Sequence, residues 1–98
     1  MNKLAEQTIK RIESEPGYNY NRQTVIDICE AGIDGIVDGT IITIRNGITM
    51  RREGGQIVAR DADGNIKQEQ PIAGNEDRIV AMYAYIKSRN ETSMGSLK

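Results

Sequence analysis

The stretch ITMRREGGQIVARDADGNIK, residues 48–67, decides the fold of this chain. Apolar and polar residues alternate within it, and the alternation breaks at Gly54-Gly55 and Asp63-Gly64, as it does just upstream at Asn46-Gly47. Alternation is the period of a strand with one buried face, and glycine pairs at such spacing mark hairpin turns. Residues 40–70 are therefore expected to form an antiparallel meander of about four strands.

Side-chain parity extends this to individual pairs. A two-residue Asn46-Gly47 loop would place the apolar sets of its two strands on opposite faces. A three-residue loop, Arg45-Asn46-Gly47, pairs Ile44 with Ile48 and Ile42 with Met50, so burial of one face selects it. Carried onward, the count puts Ile42, Ile44, Ile48, Met50, Ile57, Ala59 and Ile66 on an inner face. Thr43, Thr49, Arg51, Val58, Arg60 and Lys67 fall on the outer one. Arg60 and Lys67 are expected to be cross-strand neighbours with only Glu69 near to offset them, and like charges placed opposite each other are destabilising. On that layout, replacing Arg51 and Arg60 with Glu keeps the fold and raises stability slightly.

Outward from the meander the period becomes helical. Leu4, Ala5, Thr8, Ile9 and Ile12 give residues 2–14 an apolar stripe that ends at Pro16-Gly17. Val25, Ile28 and Cys29 do the same for residues 22–31, with Asn19 or Asn21 as the cap and Gly32 past the end. Residues 33–39 read as an irregular segment or edge strand. Downstream, Asn75 caps a helix with acids in its first turn, Lys87 and Arg89 in its last, and Ile79, Met82, Tyr83 and Ile86 inward. The remaining NETSMGSLK lacks periodicity. The expected fold is α+β: two N-terminal helices, an antiparallel meander and a C-terminal helix packed on the apolar sheet face. Residues 1–89 make one domain, and residues 90–98 a flexible tail.

Composition narrows the chemistry. The 98 residues carry a formal charge of -1, so no global field draws the chain to nucleic acid or an anionic membrane. The four aromatics are all Tyr, which leaves the core to Ile and Val. A polar start, and no apolar run near the roughly 20 residues of a membrane span, point to a cytoplasmic protein. With no His, the commonest general base and metal ligand is missing. Cys29, the single cysteine, falls on an apolar stripe and reads as a buried, inert thiol. Asp61-Ala62-Asp63-Gly64-Asn65 copies the start of a calcium loop, but Ile66 and Ile72 stand where that loop needs Gly and Glu, so it reads as a hairpin turn. No catalytic, cofactor or metal site is expected.

Three surface features remain. Acids at Asp27, Glu30, Asp34 and Asp38 precede a basic segment of Arg45, Arg51, Arg52 and Arg60. Tyr18 and Tyr20 flank a loop, and Tyr suits interfaces. The basic sheet face offers Arg51, Arg60, Lys67 and Arg45 as partner-binding residues, arginine being the better anchor for carboxylate or phosphate. The expected function is a small non-enzymatic protein-binding module that docks through this face. Its size and charge are those of phage- or mobile-element-encoded inhibitors of host or defence machinery. Nucleic-acid binding by the same face is the second reading, although it has no aromatics for base stacking. A small-ligand binder at a dimer interface is the third.

Overall fold

Asn2 starts the first helix. Its carboxamide oxygen accepts the Ala5 N–H at 2.9 Å, satisfying one of the donors a helix start leaves unpaired. The Nδ2 of the same side chain donates to the Cys29 carbonyl at 3.0 Å, so the cap also ties the first helix to the second. These are α1, Lys3–Glu13, and α2, Arg22–Ala31, which Asn21 caps through the Thr24 N–H. The computed structural model describes residues 1–17, 19–45 and 47–96, with side chains as far as Glu91. Tyr18, Asn46 and the last two residues lie outside the described residues, and with them the Tyr18 interface reading and the Asn46 half of the first turn.

Gly32 leaves α2 at φ 70°, a conformation costly for any residue with a Cβ. A short 3-10 turn follows at Ile33–Gly35, resolving the ambiguous segment. The strands are β1 (Ile41–Arg45), β2 (Ile48–Glu53), β3 (Gln56–Arg60) and β4 (Ile66–Pro71). They pair antiparallel in sequence order. The last helix, α3, spans Glu76–Ser96 and continues past Arg89, where its basic residues suggested a last turn. It packs against α1, α2, the 3-10 turn and β1. The mixed α+β fold expected from the sequence is the one observed.

Two bulges change the register. Ile42 lies opposite Met50 as expected, but Arg45, not Ile44, lies opposite Ile48. The odd residue therefore sits within β1. The cause is α3: Asn90 Nδ2 donates to the Thr43 carbonyl at 2.7 Å, and the Arg89 guanidinium donates to the Ile44 carbonyl. Successive carbonyls of a regular strand point opposite ways, so one helix can hold both only where the strand is bulged. In the second bulge Ala59 pairs with Gln68 but Arg60 with Ile66, leaving Lys67 as the extra residue. Ile66 therefore moves from the expected inner row to the outer one, 49% exposed. Parity counting fails there because one added residue flips every side chain beyond it.

The core joins Ile42, Met50 and Ile57 of the inner sheet face to Ile9 and Ile12 of α1, Val25 and Cys29 of α2, and Ile79, Val80, Tyr83 and Ile86 of α3. Met82, expected inward, is 37% exposed. It lines a cleft of about 680 Å³ between α1, α3 and β4, where the helices do not close over the sheet.

Candidate functional site

The outer sheet face is built from three cross-strand rows. Ile41, Arg51, Val58 and Glu69 form one; Thr43, Thr49, Arg60 and Ile66 the next; Glu53, Gln56 and Pro71 the third. None of these residues belongs to the cluster joining sheet to helices. Ile41 stands 60% exposed on one edge strand, and Ile66 is exposed on the other. Val58 is nevertheless buried, with Arg51 and Glu69 on either side across the sheet.

Arg51 and Arg60, placed on one face by their parity, do share it. They are not free of counter-charge. Glu53 lies two residues from Arg51 on the same strand and face, and its Oε2 accepts from Arg51 Nε at 3.2 Å. The Arg60 guanidinium grips the same carboxylate with both terminal nitrogens, Nη1 on Oε2 and Nη2 on Oε1 at 3.1 Å. One acid thus holds two arginines in a fixed arrangement. Glu53 escaped the sequence reading, though its i, i+2 spacing from Arg51 carried the signal.

The other two expected residues are displaced by the bulges. Lys67 is not the cross-strand neighbour of Arg60; its Nζ stands 3.8 Å from Asp61 Oδ2 beside the β3–β4 loop. Arg45, opposite Ile48, leaves the row parity that Arg51 and Arg60 share, and it is exposed. Charge on the outer rows is therefore balanced, two arginines against Glu53 and Glu69. The expected basic face is a mixed one.

Arg52 points the other way and is structural. Its Nη1 donates to the carbonyls of Ile33 at 3.0 Å and Ile36 at 2.6 Å, closing the 3-10 turn against β2. The acids expected to face a basic segment are dispersed: Asp27 accepts from Gln23, Glu30 pairs with the Met1 amine, and Asp38 accepts the Gly54 N–H at 2.6 Å.

Among the described residues, three groups have perturbed acidities, each traceable to its surroundings. Asp61 Oδ1 accepts the N–H groups of Asn65 at 2.9 Å and Asp63 at 3.0 Å. Chiefly the Asn65 N–H holds this carboxyl below the usual carboxylate range, so the acid of DADGN organises its own turn. Burial pushes the Cys29 thiol up, opposed by its hydrogen bond to Thr8 Oγ1 at 3.8 Å. Tyr20 is pushed up to about 12 by desolvation first, and then by Glu13, whose Oε2 accepts its hydroxyl at 2.6 Å. Neither the thiol nor the phenol lies on the outer sheet face. Comparison with protein-family models, curated proteins and solved structures gives no match for this chain.

Proposed function

We propose that this chain is a small non-enzymatic binding module that docks a protein partner through its outer sheet face, with Arg51 and Arg60 as anchors. The observation that carries the reading is the clamp made by Glu53. It fixes two long side chains whose ordering would otherwise oppose association. The clamp engages Arg51 through Nε, and among the described residues neither of its terminal nitrogens has a hydrogen-bond partner. Those nitrogens form a fork suited to a carboxylate or backbone carbonyl on the partner. Exposed Ile41 and Ile66 add apolar area at either edge of the same face. Nucleic acid suits the face less well, because Glu53 offsets the charge that phosphate contacts require.

Arg51→Gln/Arg60→Gln tests the proposal, since it removes the anchors without adding carboxylates beside Glu53. The variant is expected to fold and to lose the partner species that the wild-type chain retains from native-host extract at moderate salt. Equal retention by wild type and variant moves the binding site off this face. Tight, steeply salt-dependent binding of an oligonucleotide by the wild type alone assigns the face to nucleic acid instead.

A further inference from the structure

The cleft between α1, α3 and β4 lies on the other side of the sheet from the Glu53 clamp. The inner face of the sheet runs Ile42, Met50, Ala59 across one row and then meets Gln68; the row containing Ile57 meets Gln70. Carboxamides thus stand on β4 where β3 presents Ala59 and Ile57. Met82 belongs to the inward stripe of α3, yet it stays 37% exposed over them. A sequence that patterns Met82 for burial and a fold that leaves it uncovered disagree here, and such disagreement concentrates at functional sites.

We infer that this cleft binds a short extended peptide segment carrying a large apolar side chain. Period is the first reason. Gln68 and Gln70 lie two residues apart on one face of β4, so their carboxamides repeat at about 6.6 Å, twice the strand rise. An extended chain presents amide groups to one side at that same interval, and a carboxamide can both donate to and accept from a peptide group. Oriented so that its oxygen faces the Arg78 guanidinium, the Gln70 amide accepts from Nε at 3.2 Å.

Charge is the second reason. The α1 side carries Arg11 and, just past the helix end, Glu15, and the α3 rim Asp77 and Arg78, so each wall holds one charge of each sign. Such a lining complements an uncharged backbone better than an anion or a cation. The third reason is shape. Lining residues on α1 run from Leu4 to Ile12, about 12 Å at the helical rise, which accommodates roughly four extended residues. Leu4, Ile12 and Met82 supply an apolar floor for one side chain of that segment.

The test is selection of short linear peptides from a displayed random library on the full chain, followed by titration of the enriched sequences as synthetic peptides. Gln68→Ala and Met82→Lys are the cleft variants. Both residues are exposed, so both chains should keep the wild-type melting midpoint, and Arg51→Gln/Arg60→Gln is the control on the opposite face. Enriched peptides are expected to bind the wild type and the control alike and to weaken by about tenfold or more on either cleft variant, the loss typical of removing an anchor contact. Amide resonances shifting along β4, α1 and α3 on titration would place the peptide. The inference is overturned if no peptide is enriched, or if the enriched peptides bind the cleft variants as tightly as the wild type. A concentration-dependent dimer abolished by Met82→Lys also overturns it, by giving the cleft to a second copy. Because the outer-face control is kept separate, failure here leaves the sheet-face proposal intact, and the reverse.

Discussion

Arg52 and its neighbour Glu53 show how far a single side chain in this fold can carry roles that its type does not announce. Arg52 looks like one more base in a basic run, but its guanidinium binds two carbonyls of the 3-10 turn and approaches the Gly54 carbonyl at 3.4 Å. Arg52→Ala strands those half-buried acceptors and is expected to cost about 1–3 kcal/mol by urea denaturation. Arg52→Lys should recover only part of this, because Nη1 alone bonds both carbonyls, as an ammonium could, but the Nε contact to Gly54 is lost. Glu53 reverses an expectation drawn from the sequence. With Arg60 facing Lys67, acidic replacements of the arginines would have relieved repulsion; with Glu53 clasping both, Arg51→Glu/Arg60→Glu crowds three carboxylates together. That variant should melt below wild type at low salt and recover as salt screens the repulsion. Salt-independent melting equal to wild type would show that the clamp contributes nothing.

At the scale of elements, strand parity explains what was legible. Alternation placed Arg51 and Arg60 on one face and Met50 and Ile57 on the other, because both pairs lie within regular stretches of β2 and β3. It misplaced Ile66 and Lys67, and it mispaired Ile44, because each sits at a bulge whose origin lies outside the alternation pattern. At β1 that is α3, and beside β4 it is the Asp61 loop. Likewise Arg52 could not be read, since its partners lie at the end of a 3-10 turn the sequence left open. The two sheet edges are guarded differently: α3 occupies carbonyls of β1, while Pro71 gives β4 no donor and its carbonyl accepts from Asn75 Nδ2 at 2.9 Å. Strand addition at either edge is thereby discouraged. The face assignment predicts a contrast. Met50→Ala should cost about 2–5 kcal/mol, as for a buried large-to-small change. Ile66→Asp, on an exposed outer position, should stay within about 0.5 kcal/mol of wild type. Denaturant midpoints that rank these two the other way would invert the faces.

For the molecule as a whole, pH response follows from an inventory with no histidine. No side chain with an ordinary pKa near neutrality links folding to protons there, so stability should vary little between the carboxylate and tyrosine ranges. The limbs on either side belong to identifiable groups. Asp61 is held below its usual range in the folded chain, so its contribution is present above the unfolded carboxyl pKa and is lost as pH falls through the lower folded value. Tyr20 acts in the opposite sense. Its folded pKa of about 12 lies above the ordinary 10.0, so the folded state favours the neutral phenol. That contribution is complete below the unfolded value and disappears as pH rises through the folded one. The group that accepts its hydroxyl, Glu13, stands at the end of α1, and Tyr20 itself packs against the core, so ionising it sets a charge beside a carboxylate at the α1–α2 junction. Tyr20→Phe should therefore lower stability modestly at neutral pH, by the lost hydrogen bond, and flatten the decline that wild type shows between about pH 10 and pH 12. Melting temperatures of both chains across that range decide the matter. If wild type and Tyr20→Phe decline in parallel, the alkaline limb arises elsewhere and the Tyr20–Glu13 bond does not couple folding to pH.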